Sequence, residues 1–279
     1  MRASREAPSA ASGEVPRACS GVSCALVERA SPAATTRRVR TPHLTAPPAR
    51  VRDCARIPAS RRAAQSQPFD AIKGKHPDEW QIVNAMLPRK YLPRLANNVY
   101  ERRAAAAAAQ LFQGTPMALD YDQLLNKRPG KAGAIFAWHQ DMAYWPKTPD
   151  TRTVTFSLAL DATTRQNGAL KFLSGSGLAR VVHPHVPVGK SRDDAHAVAV
   201  RVDEADPKIE VAEIARGDVT IHDEFVVHGS PGNLSKGTRR TYVVAFRTQA
   251  TVDLERKAGF THSHEDPVNW DSFPKEGLR

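Results

Sequence analysis

The residues with the clearest chemical potential lie in one aromatic stretch, Trp138-His139-Gln140-Asp141-Met142-Ala143-Tyr144-Trp145-Pro146. On a β-strand, successive side chains point to opposite faces, so residues two positions apart share a face. We therefore expect His139 and Asp141 to point the same way. An imidazole nitrogen and a carboxylate oxygen on one face are two of the three groups of a facial triad for non-haem Fe(II). Taken alone, the pair is more typical of a surface loop in which Asp caps a turn.

A third metal ligand has to come from elsewhere in the chain, and the segment 217–230 contains two histidines. His228 ends an apolar run just before a small-residue turn, where a side chain can project into the mouth of a barrel. His222 shares a face with His228 in strict alternation. We interpret His228 as the ligand and His222 as a strand histidine, with a reserve ligand or a partner of a ligand as the alternative.

A dicarboxylate co-substrate requires a fixed cation, and Arg239 lies eleven residues after His228, at the start of the last predicted strand. A guanidinium donates two parallel hydrogen bonds to a carboxylate, which suits it better than an ammonium group to this task. The spacing favours this role over that of a surface arginine beside Arg240. Lys127 and Lys131 flank a Pro-Gly turn and are interpreted as solvated charges, although Lys127 could contact an anionic ligand.

The elements that must position these groups are mostly short β-strands. Alternating or β-branched runs between Gly, Pro and Asn turns predict strands at 117–125, 135–139, 153–160, 169–173, 209–214, 219–227 and 240–247, with a further candidate at 181–186. Helices are predicted at the front, one over 78–83 and one from about Pro93 through an alanine run to Phe112. This order predicts a mainly β protein with flanking helices, of the sandwich or jelly-roll class.

The positive charge of the chain is concentrated at its beginning. The net charge is +11, but residues 1–66 contain twelve Arg and four acidic residues, which leaves only +3 for residues 67–279. We therefore do not expect the body of the chain to bind nucleic acid. No run of about 18 apolar residues occurs, so we expect no membrane span. The three cysteines have neither disulfide-framework nor zinc spacing and indicate a reducing compartment.

Residues 1–66 are rich in Arg, Ala, Ser and Pro and have no sustained helical or strand period. Such a composition buries too little apolar surface to offset the entropy of ordering, so we predict disorder. It is typical of an organelle transit peptide, and equally of a dispensable tail or an extension from a misassigned start. We expect an intracellular protein, in a plastid, mitochondrion or peroxisome if the segment is a transit peptide and otherwise in the cytoplasm. Residues 67–279 are predicted to form the folded domain.

The ordered set His139-x-Asp141, His228-Gly229-Ser230 and Arg239 resembles the phytanoyl-CoA dioxygenase family of Fe(II)/2-oxoglutarate oxygenases. The Asn-Gly piece at 166–170 and the Gly-Asp pair at 217–218 add to the resemblance, which covers about residues 80–250. It implies a double-stranded β-helix in which His139, Asp141 and His228 hold the iron.

The same resemblance implies the co-substrate site and the reaction. Arg239 would bind the distal carboxylate of 2-oxoglutarate, and Gln123 and Ser157 fall where family members contact this co-substrate. The implied reaction consumes O₂, hydroxylates a small-molecule or acyl-CoA-like substrate and releases succinate and CO₂, with ascorbate as a supporting reductant. A halogenase of this fold usually has Gly or Ala at position 141, so Asp141 favours hydroxylation.

Three departures from the family pattern keep alternatives open. The usual N-terminal portion is not recognisable before Pro77, residues 1–66 match nothing in the family, and Ser174-Gly175-Ser176-Gly177 replaces a Pro-Gly-Ser-His-like turn. One alternative is a truncated or catalytically inactive jelly-roll binding protein that retains the metal site. Another is a metal-dependent isomerase or cofactor-free dioxygenase on a cupin-like barrel, although such a protein needs no arginine clamp.

Substrate specificity is expected to reside in the loops at 174–208 and 250–279. His183, His185 and His196 lie in the first of these loops without repeat spacing, and we interpret them as surface residues or parts of a lid. Tyr144 and Trp145 are interpreted as core residues or pocket walls. The sequence does not specify the substrate.

Overall fold

A computed structural model of the chain describes residues 81–188 and 198–260, together with the backbone of a short strand at residues 26–28. The strands, numbered in chain order, are β1 Leu26–Glu28, β2 Ile82–Met86, β3 Met117–Lys127, β4 Phe136–His139, β5 Thr153–Ala159, β6 Lys171–Leu173, β7 Val186–Pro187, β8 Val198–Ala199, β9 Ile209–Val211, β10 Val219–His222, β11 His228–Ser230 and β12 Arg239–Thr248. The α-helices are α1 Pro88–Tyr91, α2 Val99–Leu111 and α3 Gln249–Lys257.

The strands form two main antiparallel sheets. The larger sheet has the order β1-β10-β5-β12-β3-β2, and the smaller sheet has the order β4-β11-β6-β9, while β7 and β8 form a separate pair. Residues from both sheets meet in a shared apolar cluster that contains Ala159 of β5 and Phe172 of β6. This two-sheet arrangement with few helices confirms the predicted mainly β, jelly-roll class.

The register of the larger sheet determines which side chains reach the interior between the sheets. Lys127 of β3 is paired with Arg239 of β12, and Val243 of β12 lies between Gln123 of β3 and Ser157 of β5. Since every second residue of a strand points to the same face, all of these side chains share one face of the sheet. The three residues predicted to contact a co-substrate therefore project from the same surface.

The opposite face of the larger sheet is covered by helix α2. Ala104 and Ala108 of the helix pack in one buried cluster with Phe156, Val244 and Phe246 of the sheet. Small alanine side chains allow the helix to approach the sheet closely, which explains the alanine run in structural terms. The helix begins after Asn98, whose side chain accepts a hydrogen bond from the backbone of the third helical residue.

Two predictions at the front of the fold are corrected. The helix predicted over 78–83 is wrong in its described part, because Ile82 and Val83 begin strand β2 and pair with the end of β3. The local sequence resembles the start of a helix, because a proline is followed by acidic residues. The pairing of β-branched residues with a neighbouring strand outweighs this local preference. The second helix begins at Val99, and the stretch Pro93–Leu95 forms only a 3₁₀ turn.

Several strand boundaries are also corrected. The candidate strand at 181–186 is reduced to Val186–Pro187, and the strand expected at 169–173 begins only at Lys171. The Asn-Gly hairpin signal marks the end of a 3₁₀ turn, where Gly168 takes a φ of 84°. The strand expected at 219–227 ends at His222, because the carboxylate of Asp223 accepts the backbone N–H groups of the next turn. The predicted disorder of residues 1–66 lies outside the described residues, apart from β1, which pairs with β10.

Helix α3, which the sequence did not predict, is joined to the sheets by a buried ionic cluster. Arg247 of β12 donates to Glu255 of α3 at 2.6 Å, and both side chains are fully buried. The Arg247 guanidinium also lies 4.6 Å from the ring centroid of Trp145. Burial raises the pKa of Glu255 to about 7, although Arg247 opposes the rise. The cluster therefore links helix α3 to Trp145 through the titratable carboxyl group of Glu255 and the guanidinium of Arg247.

We expect Glu255→Gln to remove part of the pH dependence of stability. A carboxyl whose pKa is near 7 when folded and near 4.5 when unfolded binds more protons in the folded state between these values. The free energy of unfolding should then fall by on the order of 2 kcal/mol as the pH rises from about 4.5 to 7.5, and the variant should lack this loss. Urea unfolding followed across this range measures the difference.

The control for this experiment is Glu210→Gln, since Glu210 is an exposed residue of strand β9. The buried carboxyl of Glu224 has a pKa that burial raises to about 7 as well, so some pH dependence should persist in the Glu255 variant. A Glu255→Gln profile that parallels the wild-type profile at every pH would contradict the assignment.

Candidate metal and co-substrate site

His139, Asp141 and His228 form one group at an open end of the two-sheet body. Each residue offers one ligand atom, and these atoms all lie within 4.8 Å of one another. His139 ends β4 and His228 begins β11, and the two are register partners in the smaller sheet. The strand predicted over 135–139 does end at His139, so strand alternation does not extend to Asp141, which begins a 3₁₀ turn. The turn nevertheless brings the carboxylate to the two imidazoles that the spacing indicated.

The two histidines are oriented so that their Nε2 atoms face the carboxylate. Asp141 Oδ1 lies 3.6 Å from Nε2 of His139 and 3.5 Å from Nε2 of His228. On the far side of each ring, Nδ1 lies 2.7 Å from the carbonyl oxygen of Ala137 and 2.9 Å from that of Val226. Because a carbonyl oxygen only accepts hydrogen bonds, Nδ1 is the donor in both rings. This tautomer leaves each Nε2 with a free lone pair for a metal ion.

The electrostatics of the group favour the protonation states that metal binding requires. Burial alone would raise the pKa of Asp141, but the neighbouring histidines His228, His139 and His222 hold it well below its usual range. Burial and the neighbouring imidazoles lower the pKa of His228. An ionised carboxylate beside a neutral imidazole is the state that a divalent cation binds.

Two further residues of the larger sheet contact the same carboxylate. Thr155 donates a hydrogen bond of 3.1 Å from its hydroxyl to Asp141 Oδ2. His222 Nε2 lies 3.3 Å from the same oxygen, and its ring centroid is 4.3 Å from that of His228. The sequence analysis singled out His222 but missed Thr155, although Thr155 shares a face with Ser157 two positions later on β5.

Arg239 lies beyond this group and is 2% exposed. Its Nη2 donates to the carbonyl oxygen of Gly168 at 2.7 Å and to the hydroxyl of Ser230 at 2.8 Å. Its Nε is buried and has no hydrogen-bond partner among the described residues. Burial lowers the pKa of Arg239 to about 10, so the side chain remains positively charged at neutral pH. A buried cation with an unsatisfied donor at the cavity wall is suited to an anionic ligand.

Lys127 corrects another prediction, since it is fully buried and is not a solvated turn charge. It is the last residue of β3 and pairs with Arg239, which places its side chain on the interior face. Its Nζ donates to the carbonyl oxygen of Ser230 at 3.1 Å and also contacts the Ser230 hydroxyl and the carbonyl oxygen of Pro231. Burial and the neighbouring Arg239 lower the pKa of Lys127 to about 5. Ser230 thus links the two basic side chains.

We expect Lys127→Met to change the pH dependence of stability. With a pKa near 5 when folded and near 10.5 when unfolded, wild-type Lys127 binds fewer protons in the folded state between these values. The free energy of unfolding should therefore rise with pH between these values in the wild type, and the variant should lack this rise, a difference on the order of 4 kcal/mol between pH 6 and 9. Urea unfolding from pH 6 to 9 measures it, with the exposed Lys236→Met as the control. An unchanged slope in Lys127→Met would contradict a neutral buried amine.

A cavity of about 510 Å³ connects the histidine group with Arg239. Gln123 and Ser157 line it, as do Tyr144 and Trp145, so the pocket-wall interpretation of the two aromatics is confirmed. Gln123 Nε2 donates at 2.9 Å to the side-chain oxygen of Asn84 on β2. Sequence reasoning missed Asn84, because the segment around it was interpreted as a helix start.

The loop over the cavity is held by Gln140, a fully buried residue between the two candidate ligands. Its side-chain amide donates to the carbonyl oxygen of Val181 at 2.9 Å and accepts from the backbone of His183 at 2.7 Å. Its backbone N–H donates to Nε2 of His185 at 3.1 Å, so His185 is half-buried in the described loop while His183 is exposed. His196 lies outside the described residues. No sequence pattern had indicated the role of Gln140.

Two antiparallel sheets that enclose a candidate His-Asp-His metal site and a buried arginine define a protein of the jelly-roll class. The chain matches the family model described as phytanoyl-CoA dioxygenase (PhyH) over residues 33–241 and belongs to that family. The match confirms the resemblance found in the motifs. It also corrects the expectation that residues 1–66 match nothing in the family, because it begins at residue 33.

Relatives with stated activities share part of the chain. A probable alpha-ketoglutarate-dependent hypophosphite dioxygenase of Stutzerimonas stutzeri is 34% identical over 48% of this chain and 46% of its own length. An L-proline trans-4-hydroxylase of Streptomyces griseoviridis is 25% identical over 51% of this chain and 59% of its own length. The chain spans about half the length of the curated relatives it matches.

A solved structure supports the fold. The crystal structure of EvdO2 from Micromonospora carbonacea var. aurantiaca complexed with 2-oxoglutarate is 27% identical, with a TM-score of 0.54 over 61% of this chain and 69% of that chain. None of the helices in the described part of the chain is long and apolar enough to cross a membrane.

Proposed function

We propose that this chain is an Fe(II)- and 2-oxoglutarate-dependent dioxygenase that hydroxylates a small-molecule or acyl-CoA-like substrate and releases succinate and CO₂. The observation that carries the proposal is the group of three ligand atoms within 4.8 Å, at one end of a cavity that Arg239 also lines. Family membership supports the same cofactor set. A bound Fe(II) would supply the activation of O₂ that oxidises an unactivated C–H bond.

The side-chain chemistry of His139, Asp141 and His228 fits an iron ion. Two neutral imidazoles and one carboxylate are the donor set that leaves three positions of an octahedron open. Nε2 of His139, Nε2 of His228 and Oδ1 of Asp141 would be the donor atoms, because their partner atoms are already engaged by carbonyl groups or by Thr155. We propose that 2-oxoglutarate would bind in the cavity beside these three residues and serve as the co-substrate of the iron.

The co-substrate would extend from this group towards Arg239. The guanidinium is held by Gly168 and Ser230 and lines the cavity, which suits the distal carboxylate of 2-oxoglutarate. We propose that Gln123 and Ser157 contact the same molecule from the row of side chains between Arg239 and the histidines. In this role the two side chains would orient the co-substrate by hydrogen bonds rather than neutralise its charge.

The complete donor set and the buried arginine do not favour the alternative of an inactive binding protein. A cupin-like isomerase or cofactor-free dioxygenase would have no use for Arg239, which occupies a site that costs free energy to desolvate. The cavity of about 510 Å³ is within the usual range of small-molecule sites and is lined mainly by apolar side chains. These features support an enzyme that encloses the reacting part of its substrate.

A succinate-release assay tests the proposed function. The full chain is incubated with Fe(II), ascorbate, O₂ and 2-oxoglutarate, alone and with a panel of small metabolites, and succinate and CO₂ are measured. We expect slow iron-dependent succinate formation without a substrate and faster, stoichiometric formation with the right one. The His139→Ala variant should form none. A protein that binds both iron and 2-oxoglutarate but forms no succinate with or without the panel would favour the inactive alternative.

A further inference from the structure

The two oxygens of Asp141 have different surroundings. Oδ1 faces the Nε2 atoms of His139 and His228, at 3.6 and 3.5 Å. Oδ2 faces away from them, towards the hydroxyl of Thr155 at 3.1 Å and Nε2 of His222 at 3.3 Å. One oxygen of the carboxylate is therefore oriented towards the metal-binding atoms, while the other is oriented towards the larger sheet.

His222 has no hydrogen-bond partner other than Asp141 within reach among the residues that the structure describes. The side chain is 4% exposed, and neither ring nitrogen makes a well-aligned hydrogen bond with the described residues. Its ring lies against the rings of Phe172 and His228, with centroids 5.6 and 4.3 Å away. A buried imidazole without a partner costs free energy, and Asp141 Oδ2 at 3.3 Å is an acceptor that a small rotation of the ring would bring into line.

The position of His222 is fixed by the sheet and does not depend on the loop that carries Asp141. His222 is the register partner of Thr155 across strands β10 and β5. Two neighbouring strands of the larger sheet therefore present a hydroxyl and an imidazole side by side to the same carboxylate oxygen. Hydroxyl and imidazole N–H groups are both donors that a carboxylate oxygen accepts.

We propose that His222 is a positioning residue which, together with Thr155, holds Oδ2 of Asp141 and thereby keeps Oδ1 directed towards the Nε2 atoms of His139 and His228. A carboxylate held in this orientation would bind a metal ion more tightly than one that is free to rotate. This inference rests on the proposed function, because it concerns the geometry of the same metal site.

Two substitutions at position 222 separate a positioning role from a structural one. His222→Leu removes the donor and fills the space with an apolar group, whereas His222→Gln retains an N–H donor. We expect His222→Leu to weaken Fe(II) binding by about 10- to 100-fold in an anaerobic titration, and His222→Gln to recover most of the loss. The metal-free His222→Leu protein should unfold at a urea concentration no lower than the wild type, because a buried polar group without a hydrogen bond is replaced by an apolar one.

The exposed His183→Leu is the matched control and should bind Fe(II) like the wild type. Unchanged iron affinity in His222→Leu would overturn the inference. A loss as complete as that in His228→Ala, without recovery in His222→Gln, would also overturn it and would make His222 a ligand. If the wild-type chain binds no Fe(II), the proposed function fails as well, so the two failures are distinguishable.

Discussion

Replacing His228 with alanine is expected to abolish stable Fe(II) binding and, with it, iron-dependent turnover of 2-oxoglutarate. His228 contributes one of the three ligand atoms that lie within 4.8 Å of one another in the described part of the chain. The loss should exceed the roughly 10- to 100-fold that removal of a ligand's neighbour usually costs. Anaerobic titration with Fe(II), followed by metal analysis after gel filtration, measures the affinity and the occupancy.

The informative comparison is with His222→Ala, because both histidines are buried and their rings are 4.3 Å apart. Both variants remove an imidazole from the same surroundings, so a general effect of cavity formation should be similar in the two. We expect measurable residual iron binding in His222→Ala and none in His228→Ala. Full iron occupancy in His228→Ala, together with its loss in His222→Ala, would show that the ligand assignment is wrong.

The second large effect is expected at Arg239. Arg239→Met keeps a flexible side chain of similar length but removes the cation that faces the cavity. We expect 2-oxoglutarate affinity of the iron-loaded protein to fall by about 2–4 kcal/mol, or roughly 30- to 1,000-fold, while Fe(II) binding stays near the wild-type value. Titration of 2-oxoglutarate into the anaerobic iron-loaded protein, followed by its visible charge-transfer absorption, gives the dissociation constant.

The neighbouring Arg240 supplies the matched control. It is an exposed arginine on the other face of the same strand and forms an ion pair of 2.8 Å with Asp161. Arg240→Met should leave 2-oxoglutarate affinity unchanged. If the two variants lose affinity equally, or neither does, Arg239 is not the anchor.

The residues with the most specific chemistry could be predicted from the sequence. The His-x-Asp pair, the later histidine and the arginine eleven positions beyond it have a spacing that few structural roles require. The structure brings Asp141 to the two histidines even though it lies in a 3₁₀ turn, where strand alternation does not apply. The residues that the sequence singled out are therefore close together, while their role as metal ligands stays a prediction.

The residues that support these groups could not be predicted in the same way. Thr155 and Lys127 reach the site through the pairing register of the larger sheet, which depends on contacts between strands far apart in the chain. Lys127 also lies directly before a Pro-Gly turn, a position that is usually solvated, and its pairing with Arg239 explains why it is buried instead. Gln140 and Asn84 act through loops and an edge strand whose positions depend on tertiary packing.

The most direct measurement of the central claim is a sequential anaerobic titration of the wild-type chain with Fe(II) and then 2-oxoglutarate. The site geometry predicts that one equivalent of Fe(II) binds first, and that one equivalent of 2-oxoglutarate then binds with a visible charge-transfer band that is absent without iron. The band should disappear in His228→Ala, which lacks one of the two imidazole ligands. Failure of the wild type to bind Fe(II), or equally tight 2-oxoglutarate binding with and without the metal, would contradict a shared iron and co-substrate site.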